Sequence, residues 1–274
     1  MFENQVVIIT GAGRGIGAAA ARLFAQHGAR VVVNDLDAGP CVAVVTEIEA
    51  AGGTALAAPG DVTDSTFPDR LMQAAVEAYG TINVLVNNAG FTWDGMLHKM
   101  SDEQWHRILD VHATAPFRMI RATVPYLREP AKAELAAGEG FKEPRCIVNV
   151  SSTSGLHGKA GQINYATAKM GIVGLTKTVA REWGRFGIRC NAVAFGFIDT
   201  RLTQPKEDGD TMTVGSHEVS LGIPGAMRQM AFPMIPLGRP ATPEEAAGGI
   251  LLMASPFAAY ITGHTLEVTG GAGI

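Results

Sequence analysis

Val6-Val7-Ile8-Ile9-Thr10-Gly11-Ala12-Gly13-Arg14-Gly15-Ile16-Gly17 is the stretch on which the reading of this chain turns. Val6–Thr10 is β-branched throughout and reads as a strand. Ile16–His27 carries apolar residues at helical spacing. Between them lie glycines in a G-x-x-x-G-x-G pattern through Gly11, Gly15 and Gly17, and in a G-x-G-x-x-A pattern through Gly13, Gly15 and Ala18. Glycine lets the backbone turn sharply and approach a ligand closely, and the free N–H groups of the following helix favour an anion. A Gly-rich turn can also serve plain packing. Its place between strand and helix points instead to a dinucleotide pyrophosphate.

The same rhythm continues outward. Arg30–Asp35, Thr54–Ala58, Val84–Asn87, Cys146–Val150, Arg189–Ala194 and Thr265–Val268 are short runs rich in Val, Ile, Leu or Ala, without strict alternation, as expected of parallel strands covered on both faces. Helical segments such as Ser65–Tyr79 separate them. Strands alternating with helices predict one α/β domain over residues 1–274, a doubly wound, seven-stranded parallel sheet of Rossmann type with helices on both faces. Ser101 with Gln104 spells a capping box, and Thr242-Pro243-Glu244-Glu245 a second helix start. Two stretches break the rhythm. Glu129–Pro144 reads as a surface insertion, and Thr200–Pro236, without a clear strand, as a lid over a substrate.

Composition excludes several classes. The net charge of −4 gives no pull toward nucleic acid or an anionic membrane. No apolar run has the length of a membrane span, and the chain enters a strand at once, leaving no signal peptide. Cys41, Cys146 and Cys190 are odd in number and scattered, which argues against a disulfide framework or a metal site and predicts a cytoplasmic protein.

The second strand ends in Asp35, where an acid can accept from both ribose hydroxyls and repel a 2′-phosphate. A turn-initiating Asp is the plainer reading. Arg14 pulls toward a 2′-phosphate, but Leu36 supplies no second cation, so NAD is expected, with NADP as the alternative. Further on, Tyr165 and Lys169 share a helix face at i and i+4, and the ammonium is expected to lower the phenol pKa toward working pH. Ser152 ends a strand, where its hydroxyl can hold a substrate oxygen against Tyr165. Taken singly, Ser152 can cap, Tyr165 can pack and Lys169 can sit on a solvated face.

Thr10-Gly11-x-x-x-Gly15-Ile16-Gly17, Asp61-Val62, Asn87-Asn88-Ala89-Gly90, Ser152 and Tyr165-x-x-x-Lys169 fall in one order along nearly the whole chain. In that order the sequence resembles the short-chain dehydrogenase/reductase family. The resemblance implies an oxidoreductase that moves a hydride between a nicotinamide and a ketone or secondary alcohol. It implies that Asp61 and Val62 hold the adenine and that Asn88, Ala89 and Gly90 line the cofactor side of a strand end. Ser152, Tyr165 and Lys169 would do the chemistry, with Lys169 also on the nicotinamide ribose. Ile198 and Thr200 match residues that contact the carboxamide and phosphates. A homotetramer, or a dimer, is implied through helices around Gln104–Arg128 and Asn164–Phe186 and the last strand.

The chain also departs from the family. His112 stands where an Asn usually steadies a water on the proton path, and it either takes that role or merely packs. Phe195-Gly196 replaces the usual Pro-Gly, and Thr269 a frequent Asp. The Val31-Val32-Val33-Asn34-Asp35-Leu36 run and His112 resemble the dehydrogenase part of multifunctional β-oxidation enzymes, and other stretches resemble 3-oxoacyl-carrier-protein reductases. An acyl thioester is therefore one substrate class and an apolar or aromatic ketone another. A nucleotide-sensing protein without activity is the reading outside enzymes, and the presence of both Tyr165 and Lys169 speaks against it.

Overall fold

The computed structural model describes residues 1–138 and 140–273. Glu139, inside the expected insertion, and Ile274, the end of the expected domain, lie outside the described residues. The first half runs β1 (Val6–Ile9), α1 (Gly15–Gln26), β2 (Arg30–Val33), α2 (Ala38–Ala50), β3 (Thr54–Ala57), α3 (Phe67–Tyr79), β4 (Val84–Asn87), α4 (Asp102–Leu109), α5 (Ala115–Ala122) and α6 (Glu129–Ala137). The second half runs β5 (Arg145–Ser152), α7 (Thr153–His157), α8 (Ile163–Trp183), β6 (Ile188–Phe195), β7 (Thr211–Val214), β8 (His217–Ser220), α9 (Gly225–Ala231), α10 (Pro243–Ala254) and β9 (Thr265–Val268).

Among the described residues one sheet holds seven strands in the order β3-β2-β1-β4-β5-β6-β9, every neighbouring pair parallel. Covering both faces explains the missing polar alternation. Val7 and Ile9 of β1 pack with Phe24, Ile48 and Ile250 of α1, α2 and α10. Val6 and Ile8 point the other way, to a core with Leu71, Met119 and Val179 of α3, α5 and α8. The order reverses between β1 and β4, which opens a crevice at the carboxyl ends of those strands. The capping boxes at Ser101–Gln104 and Thr242–Glu245 both form. The three cysteines are buried and unpaired. Among the described residues no helix is long and apolar enough to cross a membrane.

Glu129–Pro144, the expected surface insertion, carries α6 in its first half, closed by Gly138 at positive φ. One expectation needs correction. Thr200–Pro236 contains an antiparallel hairpin, β7–β8, paired from Thr211–Ser220 to Val214–His217. Its turn uses Gly215 at φ +60°, and its apolar residues, Met212, Val214 and Val219, alternate with polar ones.

Polar side chains inside the sheet are paired. Asn87 Nδ2 donates to Asn149 Oδ1 at 2.8 Å, and Asn149 Nδ2 donates to Thr176 Oγ1 at 2.9 Å. This chain ties β4 and β5 to α8. Asn149→Ala leaves the Asn87 amide without its partner and takes a donor from the Thr176 hydroxyl, so stability in urea should fall by about 1–3 kcal/mol. A parent-like unfolding midpoint would show that the chain of amides does not brace the fold.

Candidate active site

The crevice continues into one cavity of about 970 Å³, and the residues expected to hold cofactor or do chemistry line it, apart from Gly13 and Ala18 of the glycine stretch. The loop after β1 supplies the floor of one end. Gly11 and Gly15 have φ of +62° and +53°. A Cβ on Gly17 would lie 2.2 Å from the Gly11 carbonyl and 2.6 Å from Asn88 Nδ2, so only glycine fits. Asn88 Nδ2 donates to the carbonyls of Thr10 and Gly11, at 2.9 and 3.0 Å, and Thr10 Oγ1 accepts from the backbone N–H of Asn88 and Ala89. The strand ends are thus stitched together, and Gly15, Ile16 and Gly17, at the start of α1 where helical N–H groups have no partner within the helix, line the cavity. The cradle fits a dinucleotide pyrophosphate.

Asp35 lies just past β2. Its carboxylate accepts from the Gly13 N–H at 3.0 Å and from the Asp37 N–H at 3.3 Å. Arg14 sits between two acids, 2.9 Å from Asp37 and 3.8 Å from Asp35. Arg201 is bound to Asp210, with a second contact at 2.9 Å, and to the Thr211 carbonyl. Two guanidinium groups therefore face three carboxylates at this end. Asn34 Nδ2 donates to the carbonyls of Ala58 and Gly60, fixing the stretch that leads to Asp61 and Val62. Asp61 is itself held by the Thr63 N–H and hydroxyl, at 2.8 and 2.7 Å.

The other end gathers Ser152, Tyr165, Lys169 and His112. Ser152 is the last residue of β5, and its hydroxyl caps α7 by accepting from the Ser154 N–H at 3.1 Å. Tyr165 and Lys169 lie on the first turns of α8. The backbone of Lys169 is gripped by Ser151, whose hydroxyl donates to its carbonyl at 2.8 Å, and by Gly155, where a Cβ would come within 2.8 Å. Lys169 Nζ donates to the Val150 carbonyl at 2.7 Å and stands 5.6 Å from the centre of the Tyr165 ring. Burial pushes the Lys169 ammonium down to about 7.

The phenol does not follow the sequence expectation. Its pKa is not lowered by the lysine but pushed up to about 12, chiefly by desolvation, with the Ser152 hydroxyl pulling down and Asp94 pushing up. Desolvation acts on both groups against charge, so the tyrosine is favoured as neutral acid and the lysine loses much of its leverage.

His112 lies in a π-helical turn, Asp110–Thr114, between α4 and α5. Its Nε2 is 2.6 Å from the Phe91 carbonyl, which can only accept, so the proton sits on Nε2. Nδ1 is then a buried acceptor without a protein partner. The ring meets Tyr165 edge-on, centroids 5.0 Å apart, and is so close to Gly90 that a Cβ there would be 2.0 Å away. Burial first and the Lys169 charge second hold its pKa well below the ordinary value, against the Phe91 hydrogen bond, so the ring is neutral.

The hairpin β7–β8 roofs this end. His217 Nε2 lies 3.1 Å from Glu103 of α4, and its ring is 5.3 Å from that of Trp93. Arg228 holds the segment after β6 in place, on the Thr203 carbonyl and at 3.3 Å from Asp199, beside the edge-to-face rings of Phe197 and Phe232. Sequence reading missed the hairpin and also Asp94 and Gln162, which line the cavity. For the hairpin the signal was there, as apolar residues alternating around Gly215. For Asp94 and Gln162 no local pattern exists, because a contact between residues 68 positions apart produces their proximity.

A protein-family model described as short chain dehydrogenase matches residues 5–211. The chain belongs to the short-chain dehydrogenase family. It is an oxidoreductase of that family by this match and by its relatives. It is 37% identical over 270 residues to the 3-oxoacyl-[acyl-carrier-protein] reductase of Thermotoga maritima, with 98% of both chains covered. It is 38% identical over 269 residues to the reductase of the same description from Synechocystis, covering 97% of this chain and 96% of that one. The Escherichia coli reductase of that description is 33% identical over 270 residues, again with 98% of both chains covered.

Proposed function

We propose that the protein reduces the ketone of a 3-oxoacyl thioester to a secondary alcohol, reversibly, with Tyr165 as the proton donor. The observation that carries this reading is the convergence of Ser152, Tyr165 and Lys169 on one wall of a cavity whose other end is a glycine cradle. The thioester comes from the descriptions of the relatives, which align along nearly the whole chain. The lid supports a second substrate class: Met212, Phe197 and Met234 surround the same end, which suits a free apolar or aromatic ketone.

A bound nicotinamide supplies the hydride to the carbonyl carbon. Everything else falls to the chain. Ser152 and Tyr165 hold the carbonyl oxygen between two hydroxyls, and Tyr165 gives it a proton as negative charge develops. A phenol kept protonated by burial suits that direction. Lys169, with a pKa of about 7, takes up and releases a proton near neutrality and so restores Tyr165. His112 keeps one free acceptor, Nδ1, for a water on the same proton path. At the far end, the acids outnumber the guanidinium groups, and Arg14 is already engaged by Asp37 and Asp35. That balance disfavours a 2′-phosphate, and NAD(H) is the proposed cofactor.

A panel of 3-oxoacyl thioesters and free ketones, run with NADH and NADPH, tests the whole reading. Turnover with none of them overturns it. Within an active panel, Tyr165→Phe should lose about 10²–10⁴-fold in kcat, the range for removal of a general acid, while cofactor affinity holds. Near-parent turnover would remove Tyr165 from the acid role. Asp35→Ser with Leu36→Arg should move kcat/KM toward NADPH, and a parent that already prefers NADPH contradicts the role given to Asp35. His112→Asn should keep most activity, because an amide also donates and accepts, whereas His112→Leu should lower kcat more than it changes cofactor affinity. If the two variants match the parent, His112 only packs.

A further inference from the structure

Next to Asp35 the cavity is walled by Asn34 and by Gly60, Asp61, Val62 and Thr63 of the loop between β3 and α3. Three ties hold that loop. The Gly60 N–H donates to the Asp35 carbonyl at 2.9 Å. Val62 is buried in one apolar cluster with Val111 of the π-helical turn and Ala115 and Met119 of α5. Arg118, also on α5, makes the third: its Nη1 donates to the Thr63 carbonyl at 2.9 Å. Among the described residues this is its one hydrogen bond, and no acid pairs with it. A guanidinium placed on a carbonyl 55 positions away acts on the loop and not on the helix that carries it. The turn it holds has one oxygen left over. Asp61 Oδ1 accepts from the Thr63 N–H at 2.8 Å and from the Thr63 hydroxyl at 2.7 Å. Among the described residues nothing donates to Oδ2, and the Asp61 side chain is open to the cavity. Thr63 is thus pinned on both sides, to Asp61 by its N–H and hydroxyl and to Arg118 by its carbonyl. If Thr63 turned, the carboxylate would turn with it.

We propose that Arg118 is a positioning residue for the adenine half of the cofactor: its grip on the Thr63 carbonyl fixes the turn that presents Asp61 Oδ2 to the exocyclic amine of the purine. This deepens the proposed function, and it rests on a dinucleotide lying with its phosphates at the glycine cradle and its adenosine ribose at Asp35. In that pose the purine lies beside Asp61 and Val62, which form the neighbouring wall. An ionised carboxylate oxygen only accepts and the amine only donates, so the two match, and a bond to a charged acceptor is among the stronger ones. Its strength depends on where the oxygen points, because hydrogen bonds weaken steeply as they bend. A planar guanidinium keeps its direction better than an ammonium, which suits a brace. Val62 stays packed on α5 whether or not Arg118 is present, so loss of the brace loosens the turn without freeing the loop.

The test is a binding measurement that needs no turnover. NADH and NADPH are titrated by fluorescence beside their deamino forms, in which hypoxanthine replaces adenine and a carbonyl stands where the amine was. The parent should bind the amino form about tenfold more tightly, the weight of one hydrogen bond to a charged group. Arg118→Met keeps the stem and loses the donor. It should weaken the amino form by about that factor and leave the deamino form near its parent affinity, so that the preference disappears. Arg118→Lys, which restores a donor, should recover part of it. Arg118→Gln, shorter but still polar, takes the place of Arg118→Met if the latter does not fold. Equal weakening of both forms overturns the proposal, since a merely structural brace would act on both. An unchanged preference in Arg118→Met overturns it too, as does a parent that binds the amino and deamino forms alike. A parent that binds no dinucleotide overturns the cofactor reading along with it. A parent that shows the preference, loses it in Arg118→Met and yet reduces no ketone supports the role of Arg118 and counts instead against the proposed reaction.

Discussion

Parallel pairing fixes where everything else goes. Neighbouring parallel strands all finish at the same edge, and each must hand over to a crossover on one face or the other. Where β1 and β4 lie side by side, their crossovers leave for opposite faces, and no helix can cover the gap. The loops after β1, β2, β4, β5 and β6 therefore open onto one cavity. The glycine loop, Asp35, Asn88, Ser152 and Ile198 come from different parts of the chain, and the topology alone collects them. The Thr10–Asn88 hydrogen bonds then lock the two central loops together at the point of reversal.

Desolvation is the second governing effect, and it works against the simplest electrostatic picture. Tyr165 and Lys169 share a helix face, and proximity alone would have the lysine hold the phenol as an anion. Both groups are removed from water, and each then resists the form that carries charge. The result is a neutral phenol beside a lysine that exchanges its proton near neutral pH.

Much of the architecture was legible in the sequence, because it depends on local pattern. β1 and the glycine turn were readable from Val6–Gly17, and the remaining sheet strands from β-branched runs, though β5 and β6 each extend further, to Ser152 and Phe195. Both capping boxes were readable from two residues each. Site residues that belong to motifs were readable too, and they line one cavity. The π-helical turn around His112 was not, since an extra residue inside a helix leaves no compositional mark. Nor was the tie between Asp94 and Gln162. The pKa directions also lay beyond the sequence: spacing tells which residues are neighbours, but only burial tells which charge survives.

The π-helical turn at Asp110–Thr114 has a consequence for how the helical segment from Asp102 to Ala122 is shared between two tasks. A turn closed by i to i+5 bonds holds one more residue than an α-helical turn. It resets the angular phase of everything before it by about 100°, one residue of an α-helix. Downstream, Ala115, Met119 and Ile120 keep the phase that packs on the sheet. Upstream, Glu103 faces the hairpin and meets His217, while Arg107 lies beside Gly215. His112 sits at the change of phase and turns inward over Gly90. The turn thus offsets the face that packs on the sheet from the face that meets the hairpin. The extra residue works as a gear between them, so insertions and deletions in this segment are constrained in phase even at positions whose side chains touch nothing.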